Sequence, residues 1–174
     1  MSIESVPLSN IMVRNVKTAE ENQTINAIAK VMSDNNIGSV VIVKGDDVEA
    51  LSGIITERDI VRIVGTAQGS SLMLQLLVRD IMSKPVITID EETSIQDAIQ
   101  SMKLNNIRRL PVINGEGKMV GIITDKDIFR AIINNQSLVA SIGENVTIED
   151  RPMYERFSEF VMGEMFLPRS SNPN

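Results

Sequence analysis

The chain contains no cysteine and no histidine. Without thiols it cannot form disulfides, iron–sulfur clusters or thiolate zinc sites, and without imidazoles it has no histidine metal ligand. Nucleophilic catalysis by cysteine, or by serine with a histidine base, is excluded as well. We therefore expect a chain that is not an enzyme and requires neither a metal nor a cofactor.

Positive charge and long apolar runs are also scarce. There are 17 Lys and Arg residues against 23 Asp and Glu, so the net charge at pH 7 is -6. This acidic balance disfavours a nucleic-acid partner. The longest apolar stretches, near residues 40–43 and 72–78, are far shorter than the ~20 residues that cross a bilayer. The first residues show no signal-peptide pattern, so we expect a cytoplasmic protein with no membrane partner.

An internal repeat organises the chain. Residues 24–32 align with residues 94–102, and both copies place apolar side chains at i, i+3, i+4 and i+7, which predicts amphipathic helices. Thr24 and Ser94 are suited to cap the helix starts. Each helix runs into Asn-Asn-Ile, and asparagine tolerates the left-handed conformation that ends a helix.

Strand and turn patterns surround these helices. The short apolar runs at 39–43 and 109–113 predict strands covered on both faces, and the turn sequences after them predict hairpins. Residues 53–62 then align with 121–130, with seven of ten positions identical, and predict strand, turn and helix. Short first strands are expected at 16–18 and 86–89. The fold class is therefore α/β, with two β-α-β-β-α units that share a core.

The landmarks of the second unit resemble those of the cystathionine-β-synthase (CBS) domain. They are Ile81-Met82, Met102, Arg108-Arg109-Leu110-Pro111-Val112 and Gly121-Ile122-Ile123-Thr124-Asp125-Lys126-Asp127. The first unit has the same landmarks except at 37–41, where Ile-Gly-Ser-Val-Val replaces the arginine-containing segment. The resemblance covers about residues 8–135 and does not extend to the last forty or so residues.

The resemblance implies an organisation and a ligand class. It implies one repeat at 8–66 and a second at 80–135, and we expect a linker helix at 67–79 between them and a tail at 136–174 after them. The repeats would be related by a pseudo-two-fold axis, with two clefts between their sheets. Many proteins similar to this bind AMP, ADP, ATP or S-adenosylmethionine in such clefts as a regulatory ligand, and they usually assemble as homodimers.

The Thr-x-x-Asp motifs at Thr56–Asp59 and Thr124–Asp127 have two interpretations. Such a motif before a helix is a capping box, which needs no ligand. The resemblance implies instead that Asp59 and Asp127 bind ribose hydroxyls, as acidic residues do in other nucleotide sites. The threonine hydroxyls and the helix-start N–H groups would then face phosphate. The two interpretations are compatible.

Further candidate residues follow from the resemblance, each with a plain alternative. Arg108 and Arg109 would bind phosphate, or they lie at a solvated edge or in a salt bridge. Arg58 and Lys126 contact phosphate or point to solvent. Four apolar residues flank adenine or are ordinary core: Val16, Ile37, Val86 and Ile107. Because Gly38 and Ser39 replace the arginines, the two clefts should differ.

The tail is enriched in aromatic residues. It holds four of the five aromatic residues of the chain, and its apolar spacing predicts an amphipathic helix near 152–165. That helix either packs on its own core or forms an interface with a second copy or another protein. The sequence thus favours a regulatory module that binds an adenosine-containing ligand and signals to a protein partner. The alternative is a structural dimerisation scaffold with empty clefts.

Overall fold

The computed structural model describes residues 5–45, 47–66 and 75–134. The first repeat contains β1 (Thr18–Glu20), α1 (Ile25–Asn35), β2 (Ser39–Lys44), β3 (Asp47–Thr56) and α2 (Glu57–Thr66). The second contains β4 (Ile89–Asp90), α3 (Ile95–Leu104), β5 (Arg109–Ile113), β6 (Met119–Thr124) and α4 (Asp125–Ile133). Short 3-10 turns at Leu8–Asn10 and Val78–Asp80 precede the two repeats. The predicted α/β class with two β-α-β-β-α repeats is confirmed.

Each repeat has its own three-stranded sheet. In the first, β2 lies between β1, which runs parallel to it, and β3, which runs antiparallel. The second sheet has the same order, β4-β5-β6. A parallel pair needs a crossover connection, which α1 and α3 supply. Residues 40–43 of β2 are all buried, which confirms the predicted strand covered on both faces.

The helix boundaries follow the local signals in the sequence. The Thr24 side chain accepts a hydrogen bond from the Ala27 N–H, and Ser94 accepts one from the Asp97 N–H. Both predicted N-caps are therefore confirmed. Asn36 and Asn106 adopt φ values of 51° and 52°, so asparagine takes the left-handed conformation after each helix, as predicted.

The first strand of each repeat starts later than the sequence suggested. β1 begins at Thr18 and β4 at Ile89, whereas the apolar pattern placed the starts near residues 16 and 86. The Val16 N–H donates to the Arg14 carbonyl at 3.0 Å, so this N–H is not available for a bond to β2. The segments before β1 and β4 are therefore connecting chain.

The segment that precedes the first strand of each repeat packs on the core of the other repeat. We call residues 6–13 and 76–83 the exchanged segments. Leu8 and Met12 belong to the core of the second repeat, whereas Val78 and Met82 belong to the core of the first. Backbone hydrogen bonds fix this arrangement. The bonds at the first exchanged segment are Leu8 N–H to Thr93 O at 3.0 Å and Val13 N–H to Ile122 O at 2.9 Å, and those at the second are Val78 N–H to Gln23 O at 2.8 Å and Ser83 N–H to Ile54 O at 2.9 Å.

This exchange joins the two repeats through their cores. Leu8 and Val78 are each fully buried, and full burial of such a side chain stabilises the fold by about 1.5–3 kcal/mol. The core of the first repeat needs residues 76–83, and the core of the second repeat needs residues 6–13. The repeats consequently form one folding unit about the pseudo-two-fold axis.

Two predicted features fall on residues that are not described. Most of the predicted linker helix at 67–79 lies at residues 67–74, and the tail with its predicted helix near 152–165 lies beyond residue 134. Both stay predictions. Among the helices of residues 5–45, 47–66 and 75–134, none is long and apolar enough to cross a membrane.

Candidate ligand-binding cleft

A cleft of about 350 Å³ lies between the two repeats. The first repeat contributes the end of β3 and the start of α2, and the second contributes the approach to β4 and the start of β5. The lining residues are Ile54, Thr56, Glu57, Arg58, Asp59, Ser83, Pro85, Ile87, Asn106, Ile107, Arg108, Arg109 and Pro111. The Thr-x-x-Asp motif of one repeat is thus brought together with the arginine pair of the other.

Strand alternation and the exchanged segments position these side chains. Successive side chains of a strand point to opposite faces, so Ile54 and Thr56 share the face of β3 that borders the cleft. Arg109 and Pro111 share the corresponding face of β5. The bridge between Ile54 and Ser83 holds the second exchanged segment against β3, and both residues line the cleft.

Thr56 and Asp59 form the capping geometry at the start of α2. The Thr56 N–H and the Thr56 hydroxyl both donate to Asp59 Oδ2, at 2.9 Å and 2.7 Å. The Asp59 N–H donates to Thr56 Oγ1 at 3.4 Å. The capping interpretation therefore holds for this motif, and the hydroxyl proton of Thr56 is directed at Asp59.

The two carboxylate oxygens of Asp59 have different surroundings. Oδ2 accepts both bonds from Thr56, whereas Oδ1 lies 3.7 Å from Arg62 Nη2. The Arg62 side chain is 75% exposed, and an ion pair with so exposed a partner is weak. Asp59 itself is 8% exposed. Capping and ligand binding can thus use separate oxygens of one carboxylate.

The same geometry occurs at the start of α4. Thr124 and Asp127 form a complete capping box, with the Thr124 hydroxyl donating to Asp127 Oδ2 at 2.6 Å. Arg130 Nη1 lies 3.9 Å from Asp127 Oδ1. The pseudo-two-fold relation predicts a second cleft that Thr124, Lys126 and Asp127 would face, with residues 36–39 on its opposite side.

Several N–H groups at the helix starts already have partners within the chain. The Glu57 N–H donates to the Gly38 carbonyl at 3.2 Å, and the Asp125 N–H donates to the Arg108 carbonyl at 3.0 Å. The Asp59 N–H is taken by Thr56. The side chains of the cleft, more than its helix-start N–H groups, are therefore available to a ligand.

The three arginines of the cleft are not equivalent. Arg58 and Arg108 are exposed, so their guanidinium groups can reach a bound anion. Arg109 is half-buried, and its Nη1 donates to the Gly38 carbonyl of the other repeat at 2.6 Å. Burial lowers the pKa of the Arg109 guanidinium, while the carboxylates of Asp125 and Glu57 raise it. Arginine stays charged at neutral pH, so Arg109 is a half-buried cation whose charge the carboxylates of Asp125 and Glu57 stabilise.

Three of the residues predicted to flank adenine do not line the described cleft. Val86 is half-buried while its neighbours Pro85 and Ile87 line the cleft, and Val16 is half-buried in the segment before β1. Ile37 packs against the core of the first repeat and borders a groove between α1 and α2. Ile107 does line the cleft between the repeats.

Some lining residues were not singled out from the sequence. Ile54 and Pro111 lie two residues from Thr56 and Arg109 on the same strands, so the period of two could have found them. Ser83, Pro85 and Ile87 carry no such signal, because the exchange of segments brings them to the cleft. Within residues 5–45, 47–66 and 75–134 no group of three or more acidic, cysteine or histidine residues could hold a metal ion.

Comparison with known proteins agrees with this architecture. An uncharacterized protein of Methanopyrus kandleri, MK0525, is 40% identical over 144 residues, which cover 83% of this chain and 70% of the relative. The structure of the CBS-domain containing protein ATU1752 from Agrobacterium tumefaciens matches 73% of this chain and 93% of its own, with a TM-score of 0.66 and 28% identity.

A third comparison concerns a structure with bound ligands. The CBS domain pair of protein MJ0100, in complex with 5′-methylthioadenosine and S-adenosyl-L-methionine, matches with a TM-score of 0.63 and 29% identity over 74% of this chain and 97% of its own. The family model of the CBS domain matches residues 8–66 and 78–134. The chain belongs to the CBS domain family, as a tandem CBS domain pair.

Proposed function

We propose that this CBS pair is a non-catalytic regulatory module that binds an adenosine-containing ligand between its repeats and signals to a protein partner. The observation that carries the proposal is the cleft itself. It combines the capping carboxylate of Asp59, two exposed arginines and apolar side chains in about 350 Å³, a volume in the usual range of small-molecule sites. The bound ligands of the MJ0100 pair, which are both adenosine derivatives, support the ligand class.

Each part of an adenosine ligand has a suitable group in the cleft. Asp59 Oδ1 can accept hydrogen bonds from ribose hydroxyls while Oδ2 keeps its bonds to Thr56. The apolar side chains of Ile54, Ile87 and Ile107 offer a surface for adenine. Arg58 and Arg108 suit phosphate oxygens, since a guanidinium binds them in a bidentate manner.

The cleft carries both positive and negative side chains, so it suits adenine nucleotides as well as S-adenosylmethionine. Arg58, Arg108 and Arg109 favour AMP, ADP or ATP, whereas Glu57 and Asp59 favour the cationic sulfonium and ammonium groups of S-adenosylmethionine. We propose these four as the ligands, with a dissociation constant on the order of micromolar, or about -8 kcal/mol.

The position of the cleft supports a regulatory role. A ligand that contacts residues 56–59 and 106–109 contacts both repeats, so it favours the relative placement of the repeats that it fits best. A ligand shifts such an equilibrium by its difference in affinity for the two placements. A protein partner that contacts both repeats, or a second copy of this chain, could respond to that change.

Titration calorimetry of the full chain with AMP, ADP, ATP and S-adenosylmethionine tests the proposal. We expect at least one of them to bind, and Asp59→Ala to weaken its binding by about 1.5–3 kcal/mol, since a charged acceptor is lost. Asp34→Ala is the matched control, because that carboxylate lies on the exposed face of α1 and pairs with Lys30. If none of the four ligands binds, the proposal fails and the dimerisation scaffold remains.

A further inference from the structure

The backbone of Arg109 belongs to the second repeat, and the end of its side chain contacts the first repeat. It is the first residue of β5 in the second repeat, and it lines the cleft described above. Its guanidinium crosses to the first repeat, where Nη1 donates to the Gly38 carbonyl at 2.6 Å. The two ends of this side chain therefore lie on opposite sides of the boundary between the repeats.

Gly38 is the pseudo-equivalent of Arg108. The Gly38 carbonyl accepts from the N–H of Glu57, the first residue of α2, and the Arg108 carbonyl accepts from the N–H of Asp125, the first residue of α4. Since Arg108 lines the described cleft, the pseudo-two-fold relation predicts that Gly38 occupies the corresponding position of a second cleft. Arg109 thus extends from its own cleft to the second one.

The charges around Arg109 come from both sides as well. Asp125 and Glu57, the first residues of α4 and α2, both stabilise its positive charge. A Cβ atom at Gly38 would lie 3.1 Å from Glu57 Oε2 and 3.5 Å from Arg109 Nη1. The space beside Gly38 in which a side chain would begin is therefore bordered by the Arg109 guanidinium and the Glu57 carboxylate.

We propose that Arg109 is a single phosphate-binding cation shared by the two clefts, so that phosphate-bearing ligands in the two clefts compete for it. This inference rests on the function proposed above. A phosphate in the described cleft would take the guanidinium from the Gly38 carbonyl, and the second cleft would lose its access to that cation. The two sites then weaken each other, and the effect must be equal in both directions, because coupling between binding sites is reciprocal.

The competition should depend on phosphate. A guanidinium has a rigid set of donors, so its two positions exclude each other. The ligand 5′-methylthioadenosine contains adenine and ribose but no phosphate, and it has no group for which Arg109 is required. Its binding in one cleft should leave the other cleft unaffected.

Site-resolved NMR titration of the full chain tests the inference. Ile54 lines the described cleft, and Ile122 is its pseudo-equivalent, bridged to Val13 as Ile54 is to Ser83. Their methyl signals report the two clefts separately. ATP affinity at Ile122 is compared between the wild type and Asp59→Ala, in which the described cleft is weakened. We expect about tenfold tighter binding at Ile122 in Asp59→Ala, within the usual range of coupling between sites.

Two further measurements decide the role of Arg109. In the Arg109→Gln background the tenfold gain should disappear, because no shared cation remains. In the wild-type background the same comparison with 5′-methylthioadenosine should show no gain, and this result needs no substitution of Arg109. A gain that persists in Arg109→Gln or appears with 5′-methylthioadenosine overturns the shared-cation inference. The absence of any shift at either methyl with AMP, ADP, ATP and S-adenosylmethionine overturns the proposed function and this inference together, whereas ligand binding without coupling between the two clefts overturns only the inference.

Discussion

The sulfur of Met12 occupies the space beside Gly121 in which a side chain would begin. A Cβ atom at Gly121 would lie 2.6 Å from Met12 Sδ and 3.1 Å from the Val13 carbonyl oxygen. Met82 lies against Gly53 in the same way. The Ile-Met and Gly-Ile-Ile-Thr landmarks, which are far apart within each repeat, therefore meet across the two repeats.

We expect Gly121→Ala to destabilise the fold because Met12 and the backbone at Val13 have to move. Overpacking of this kind costs about 1–3 kcal/mol, measured as the free energy of unfolding in urea. Gly115→Ala is the control, since nothing lies within 4 Å of a Cβ at that position. Equal unfolding free energies for the two variants would show that the Met12–Gly121 contact has no energetic role.

The exchange of segments predicts which repeat is destabilised when a substitution leaves a cavity in an exchanged segment. Leu8 is 0% exposed and belongs to the core of the second repeat, so Leu8→Ala should cost about 2–5 kcal/mol. Amide hydrogen exchange should increase first in β5 and β6, although Leu8 precedes the first repeat. Val78→Ala should have the opposite pattern, with faster exchange in β2 and β3. If each variant loosens the repeat that follows it in sequence, the exchanged arrangement is wrong.

Asp127 allows capping to be separated from ligand binding. Asp127→Ala removes the acceptor for Thr124 and should cost about 1 kcal/mol of stability. We also expect it to weaken ligand binding in the second cleft by about 1.5–3 kcal/mol, since a charged hydrogen-bond acceptor is lost. Asp127→Asn keeps an oxygen for the cap but loses the charge, so stability should recover while the affinity stays low. Thermal unfolding and calorimetry of both variants measure the two effects, and parallel changes in both would leave only the capping role.

The elements of the fold could be predicted from sequence because their signals are local. Thr24 and Ser94 lie directly before an apolar helical pattern, and Asn36 and Asn106 directly after one. A cap or a left-handed residue depends on a few neighbouring residues, and these neighbours are visible in the sequence. The strand starts at Thr18 and Ile89 were missed by two or three residues, because an apolar residue in a connecting turn resembles one in a strand.

The contents of the cleft were only partly predictable because they depend on long-range packing. The Ile-Met segments before the two repeats have the same sequence signal, so no local pattern indicates which repeat each one joins. Ser83 and Ile87 reach the cleft only through that exchange. The bond from Arg109 to the Gly38 carbonyl joins residues 71 positions apart, and the sequence could indicate only that the arginines were absent from the first repeat.

The last prediction concerns Arg108 and follows from the difference between the repeats. Arg108 is an exposed cation at the edge of the described cleft, and Gly38 holds the equivalent position of the second. We expect Arg108→Ala to weaken ATP binding more than AMP binding, because ATP brings more phosphate oxygens within reach. An exposed charge pair contributes about 0.2–1 kcal/mol, so the loss should be roughly 1.4- to fivefold. This loss of affinity should become smaller as the salt concentration rises, since the screening length falls from ~10 Å at 0.1 M to ~3 Å at 1 M.

Lys30→Ala is the control, because Lys30 is an exposed cation paired with Asp34 on α1. Calorimetry over a series of salt concentrations gives the comparison, and unchanged ATP and AMP affinities at every concentration would mean that Arg108 is not a phosphate ligand.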